Sequence, residues 1–171
     1  MPSFIWYAAP ALLAAGAAGL SMAFGRPESA QFTVRWLGHA AFEIVSPGGT
    51  RVLIDPWLVE NPSAPAAYKD TTRWAHAEVR PAAILVTHPH GDHDGEVAML
   101  ARLSGAKVVA TGDHIQKMGI PEGQVLSINI GGMQKVGDVE IHAVPAMHSV
   151  EPGRALGYVV RFADGRALYH T

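Results

Sequence analysis

Cysteine is absent from this 171-residue chain, which removes disulfide frameworks, thiol nucleophiles and every thiolate-held metal or iron–sulfur centre. Any metal must therefore be held by imidazole and carboxylate. Charge is scarce too: 16% of residues are charged, with 13 Lys and Arg against 15 Asp and Glu and a formal net charge of −2. The basic residues are scattered, so no nucleic acid partner is expected, and a small-molecule substrate suits this balance better. Also missing are a Gly-x-Ser-x-Gly elbow, a Gly-x-x-x-x-Gly-Lys loop and a Gly-x-Gly-x-x-Gly turn. Their absence removes the usual signatures of a serine hydrolase, a phosphate-gripping nucleotide site and a dinucleotide fold. What is present is apolar material, 49% of the chain. That is enough for one domain with a sizeable core and too much for a disordered or coiled-coil chain.

The chain opens on a segment of its own. Ile5 to Phe24 contains no Asp, Glu, Lys, Arg or His, a length that can span a bilayer. Its drive into a membrane is weakened by Pro10 and by alanine at seven of the twelve positions from Ala8 to Gly19. Ser21 and Ala23 stand at the −3 and −1 positions of a signal cut before Phe24, yet the basic n-region of a signal is missing. A signal, an anchor and a start codon set too early all fit. Residues 5–24 would touch a membrane, and the protein would be exported or anchored, if residues 1–23 form a genuine signal. Residues 1–28 are therefore set apart from a folded domain over 29–171, with Arg26-Pro27-Glu28-Ser29 as the joint.

From Gln31 onward short β-rich runs take over: Phe32–Leu37, Ala41–Val45 and Arg51–Asp55, the last two separated by the turn Pro47-Gly48-Gly49. Pro56 to Pro81 holds four prolines and little periodicity, which predicts a long surface loop with at most a short helix. Its aromatics Trp57, Tyr68 and Trp74 either shape a pocket or cover the core. Ala82–Val86 is a continuous apolar run of the buried-strand type. A helix capped by Asp94, with Val97, Leu100, Ala101 and Ser104 as its stripe and Gly105 as its stop, leads to a strand at Lys107–Ala110. The remainder is β-rich again: Gln124–Ile130, Met133–Val136, Val139–Val144, Ala155–Phe162 and Ala167–His170. Strand, loop, helix and strand in succession predict an α/β fold.

The chemistry concentrates in Thr87-His88-Pro89-His90-Gly91-Asp92-His93-Asp94, directly after the buried run. In a tight loop at a strand end, side chains two apart converge on one point, and an adjacent Asp-His pair can face a second point nearby. Neutral imidazole and carboxylate suit zinc, whereas harder ions such as manganese accept the mixed set less readily. Gly91 and Gly95 sit where such a loop needs backbone freedom. His148 ends another strand, where Ser149 and Gly153 mark a loop. His76, His114 and His142 have no partner at ligand spacing and read as surface or core histidines.

His88-x-His90-x-Asp92-His93 resembles the signature of the metallo-β-lactamase superfamily. Trp36-Leu37-Gly38-His39-Ala40-Ala41-Phe42, Leu53-Ile54-Asp55-Pro56-Trp57-Leu58, Asn61-Pro62 and Pro145-Ala146-Met147-His148-Ser149 look like its branch of small metal-dependent hydrolases. That branch lies near L-ascorbate-6-phosphate lactonase and N-acyl-phosphatidylethanolamine phospholipase D. The resemblance implies the N-terminal half to two-thirds of an αββα sandwich: a mixed sheet, helices on its outer face, the metal loop at its edge and a second sheet beginning near the C-terminus. It implies a cytoplasmic hydrolase that acts through one or two divalent ions, Zn²⁺ or alternatively Mn²⁺, which acidify a water and polarise a carbonyl or phosphoryl group. His88, His90 and His148 would hold the first ion, and Asp92 and His93 the second, with Asp92 also orienting the water or taking its proton. Asp55 would accept the distal N–H of a ligand imidazole. His39 would lie near the site, or be a satisfied structural histidine.

The family's second site also uses an aspartate one glycine beyond the Tyr169-His170-Thr171 pattern, and a later histidine. With Asp92 and His93 alone, one ion per chain and an exposed, self-associating sheet are expected. A metal-binding but catalytically incomplete fragment is therefore the alternative to a hydrolase, and a nuclease is the lesser one.

Overall fold

The computed structural model describes residues 31–150 and 155–171. The readings made for residues 1–28, as signal, anchor or membrane contact, lie outside them, as does the loop glycine Gly153. No helix among the described residues is long and apolar enough to cross a membrane.

Three antiparallel strands open the described part: β1 (Thr33–Trp36), β2 (Phe42–Val45) and β3 (Arg51–Ile54). The β2–β3 turn closes through Gly49 N–H to Ser46 O and Ser46 N–H to Thr50 O, both 2.9 Å. Gly49 takes φ 89° there, a conformation open to glycine. Then β4 (Ala83–Leu85), β5 (Lys107–Ala110) and β6 (Val125–Ser127) add in parallel, giving a six-stranded mixed sheet in sequence order. β4 is buried along its whole length, as a parallel strand covered on both faces must be. The second sheet is antiparallel throughout. It consists of β7 (Met133–Val136), β8 (Val139–Pro145), β9 (Leu156–Phe162) and β10 (Ala167–His170), in the spatial order β10-β9-β8-β7.

Parallel pairing demands crossovers, and these supply the helices. The β3–β4 connection contains α1 (Ala66–Lys69) and a 3-10 turn at Thr71–Ala75. The β4–β5 connection contains α2 (Gly91–Asp94) and α3 (Val97–Ser104). The β5–β6 connection contains α4 (Gly112–Met118). On one face of the mixed sheet Leu53, Ile84 and Val108 meet Tyr68, Trp74, Leu100 and Ile115. On its other face Ile44, Val52, Ile54, Leu85 and Val109 meet Ile141, Leu156, Tyr158, Val160 and Phe162 of the second sheet. The described residues thus form helix, sheet and sheet layers, each fully buried Leu, Ile or Val in them contributing about 1.5–3 kcal/mol.

Several sequence expectations shift. The segment 56–81 is more ordered than a surface loop: Tyr68 and Trp74 are buried in the outer core, so these two aromatics cover the core. Asp94 does not cap α3. It ends α2, and Glu96 occupies the α3 N-cap, while Gly105 stops α3 in the left-handed conformation as expected. The helix α4 has no counterpart in the sequence reading. The strand expected over Gln124–Ile130 contracts to Val125–Ser127, with a turn at Ile128–Gly132 closed by Gly132 N–H to Asn129 O. The metal loop leaves the C-terminal end of β4, an inner strand, not a lateral edge of the sheet.

The two sheets are fastened by polar contacts as well as by apolar burial. Asp138, in the β7–β8 turn, accepts Ser46 Oγ–H at 2.6 Å and Gly48 N–H at 2.9 Å from the β2–β3 turn. Hydrogen bonds to a charged acceptor contribute about 1.5–3 kcal/mol each at best. Asp138→Ala is expected to lower unfolding free energy by roughly 1–3 kcal/mol, read as a shift in urea midpoint at constant slope.

Candidate metal centre

The loop after β4 brings its histidines together as the alternation of residues predicts. His88 Nε2 lies 3.1 Å from His90 Nδ1, and His148 Nε2 lies 3.3 Å from the same atom. Two ligands on a tetrahedral ion with bonds of about 2.0–2.1 Å sit about 3.3 Å apart, so the three nitrogens already stand near the corners of such a shell. His148 arrives from the other sheet, in the loop that follows β8. Its reach is set by two cross-sheet bonds: Leu156 N–H donates to Thr87 O at 2.9 Å, and the buried Tyr158 hydroxyl donates to Val86 O at 2.7 Å. Among the described residues His88, His90 and His148 form one group able to hold a metal, and His39, Asp92 and His93 form another.

Asp55 organises both groups. Its backbone φ is 44°, a left-handed conformation that an Asp tolerates better than most residues, and its side chain is only 1% exposed. The carboxylate accepts Thr87 N–H at 2.8 Å, Thr87 Oγ–H at 2.6 Å and His93 Nδ1–H at 2.9 Å. Because the Thr87 hydroxyl proton is committed to Asp55, its oxygen accepts from His88 Nδ1 at 2.9 Å. This network assigns the Nδ1–H tautomer to His88 and leaves the Nε2 lone pair facing His90. His93 is set in the same way, with Nε2 left for another partner. Asp55 thus lies beside an imidazole of the candidate centre, and Thr87 is a participant that the sequence reading missed.

Burial first, then the neighbouring His93 and His148, lower the pKa of His88 from 6.5 to about 4. It is neutral at pH 7, the form in which an imidazole can offer a lone pair to a metal. For His93 burial alone acts downward, but the hydrogen bond and charge of Asp55 outweigh it and the pKa is raised. Asp55 itself is held below the ordinary carboxylate range: burial pushes it up, and His170, His93 and Thr87 more than reverse this. Asp92 is also lowered: desolvation, the largest single influence, pushes it up, and its own backbone N–H, His93 and His39 together more than reverse this.

His39 stands beside this carboxylate, Nε2 to Asp92 Oδ2 being 3.0 Å. Trp57 packs edge-on against its ring at 5.6 Å, so of the three loop aromatics this one borders the site. His76 is exposed, and His142, on β8, has its ring Nε2 3.7 Å from Glu140 Oε2. His114 is a core histidine, one of the two readings expected for it: it is buried, and its Nε2 pairs with Asp94 Oδ2 at 2.6 Å in a contact that ties α4 to the metal loop. Glu96 was also missed. Its carboxylate accepts the backbone N–H groups of Leu58 and Val59 at 2.9 Å and of Glu60 at 3.2 Å, pinning the chain that follows Asp55. Neither glycine of the loop takes a positive φ. Gly95 is needed for space, since a Cβ there would lie 2.5 Å from Gly91 O, whereas Gly91 has open room.

Two facing sheets with helices outside, and a histidine-aspartate loop at the end of an inner parallel strand, define the class of metallo-hydrolase folds. A sequence model of the beta-lactamase superfamily domain matches residues 33–171, and the chain belongs to that family. A UPF0173 metal-dependent hydrolase of Pyrobaculum arsenaticum is 40% identical over 142 residues, which take in 81% of this chain and 60% of that protein. One from Myxococcus xanthus is 39% identical over 191 residues, 93% of this chain and 66% of that protein. Among solved structures, Igni18, a metallo hydrolase from Ignicoccus hospitalis, matches with a TM-score of 0.65 at 28% identity, covering 81% of this chain and 59% of that one. CmlA, a diiron beta-hydroxylase from Streptomyces venezuelae, shares the fold with a TM-score of 0.59 at 21% identity, over 80% of this chain and 28% of that one. The chain spans about 60% of the length of the Pyrobaculum relative.

The histidine shifts make the metal-free protein sensitive to pH in two directions. Between pH 6.5 and about 4 the unfolded chain protonates His88 while the folded chain does not, so stability falls as pH drops through that interval. His93 acts oppositely, contributing stability below 6.5 that is lost as pH rises through its raised folded value. Urea midpoints measured across this range after chelation should fall on the acid side, and His88→Gln should flatten that limb.

Proposed function

We propose that this chain carries the ion-binding centre of a metal-dependent hydrolase whose nucleophile is water, acting on a lactone, ester or phosphodiester of a small molecule. The observation that carries this reading is the convergence of His88, His90 and His148, with nitrogen separations of 3.1 and 3.3 Å. A three-imidazole set delivered from two sheets suits zinc and leaves one position for water or substrate. When bound, a zinc ion there would supply Lewis acidity to a water and to the scissile bond.

The chain's own residues do the rest. Thr87 and Asp55 hold His88 in the tautomer that presents Nε2. Asp92 is ionised at neutral pH and 44% exposed at the mouth of the site, so it can orient a water and take its proton. Among the described residues His148 is exposed and His90 half-buried, so two of the three imidazoles reach the surface. The relatives named metal-dependent hydrolases support the reaction class. The lack of cysteine and of a serine elbow supports water over a protein nucleophile.

Elemental analysis tests the centre: the His88→Ala, His90→Ala double variant should lose zinc that the parent keeps through dialysis, and equal retention would refute the assignment. Asp92→Asn should cut turnover on a lactone, ester and phosphodiester panel by roughly 10²-fold or more at unchanged first-site zinc, the scale of losing a general base. Full activity in that variant, or a trapped covalent intermediate on the chain, would refute the water mechanism.

A further inference from the structure

His39 carries structural features that the first centre does not use. Its backbone φ is 51°, and Gly38 before it has φ 97°. Non-glycine residues are strained in the left-handed region and persist there where surroundings enforce it. Here the surroundings are explicit. A Cβ on Gly38 would lie 2.9 Å from Asn61 Nδ2 and from the Ser63 carbonyl carbon, so glycine is required where the turn presses on the chain after Trp57. The Trp36 indole N–H donates to His39 O at 2.8 Å, and Leu37 N–H to Ala41 O at 2.8 Å closes the turn.

The result of this strained turn is that the His39 imidazole points at the two loop residues left over from the first centre. Nε2 is 3.0 Å from Asp92 Oδ2, and the ring stands 5.2 Å, edge-on, from that of His93. One ligand atom from each of His39, Asp92 and His93 falls within 4.8 Å of the others. His93 gives Nδ1–H to Asp55, so its Nε2 lone pair is the one available. Two imidazoles and a carboxylate form a complete three-ligand set for an open zinc position. The rings of His88 and His93 are 3.9 Å apart, so this set adjoins the first.

We propose that His39 is a metal ligand, and that His39, Asp92 and His93 bind a second divalent ion without any residue beyond those described. This departs from the pattern the resemblance implies, in which the remaining ligands of the second ion lie later in sequence. The expectation of one ion per chain counted Asp92 and His93 alone; adding His39 raises it to two. The inference rests on the proposed first centre only in sharing its loop.

The test is metal stoichiometry of the purified full chain, chelated, reloaded with zinc or cobalt and dialysed, with far-UV circular dichroism as the check on folding. The parent should hold two ions. His39→Asn should hold one, and Asn suits this substitution because it tolerates the left-handed backbone that His39 adopts. Asp92→Asn should also hold one, and the His88→Ala, His90→Ala variant should keep one, as should the corresponding cobalt absorption bands. Two ions in folded His39→Asn would overturn the proposal. So would a single parent ion that the His88→Ala, His90→Ala variant loses, a result that leaves the first centre standing. No ion in the parent would overturn both.

Discussion

The buried carboxylate of Asp55 is the constraint on which the site depends. It joins the end of β3 to Thr87 at the end of β4, to His93 in the metal loop and, at 3.6 Å, to His170 on β10 of the other sheet. Removing a carboxylate from water is costly, and the cost is offset only when its lone pairs are occupied in good geometry. Three short hydrogen bonds and a nearby imidazole do that here. The same bonds assign proton positions on His88 and His93, so one desolvated charge sets the donor atoms in both candidate groups. Stability and metal readiness are in this sense one interaction, and a change at Asp55 cannot alter one without the other.

A further layer of polar anchors holds the loop from its far side. Glu96, directly after the metal loop, gathers three backbone N–H groups of residues 58–60, and Asp94 gathers His114 from α4. These side chains look inward at backbone and at one another, away from the open mouth. A loop of alternating histidines with no such support would sample many arrangements, and the entropy of ordering it would fall on metal binding. With both ends tied, that ordering is already accomplished in folding.

How legible this was from the residues alone depended on range. His88 and His90 are two apart after a buried strand, and alternation predicts their convergence; the turn at Gly49 and the stop at Gly105 are likewise local. The α4 helix was not legible because its seven residues bury only His114 and Ile115, too short a stripe to show a period. Asp94 looked like a cap because caps and ion pairs use the same residue type; only the fold brings a histidine twenty positions on to within 2.6 Å of it. Glu96 and Thr87 carry no local signal of their roles, since each role depends on a contact more than thirty positions away. The ambiguity of His39 had the same cause: its partner Asp92 belongs to another connection of the sheet.

The two candidate groups differ in what holds them. His88 and His90 hang from β4 while His148 follows β8, so the first group exists only while the sheets keep their mutual register through Tyr158, Leu156 and the apolar layer between them. His39, Asp92 and His93 all lie at one end of the mixed sheet, on the β1–β2 turn and the loop after β4. Loosening the packing between sheets would therefore disperse the first group and leave the second largely in place. Disturbing the strained turn at Gly38 would do the reverse. A site divided in this way can be altered in one half by evolution or by mutation while the other half keeps its geometry, provided that Asp55, which serves both, is kept.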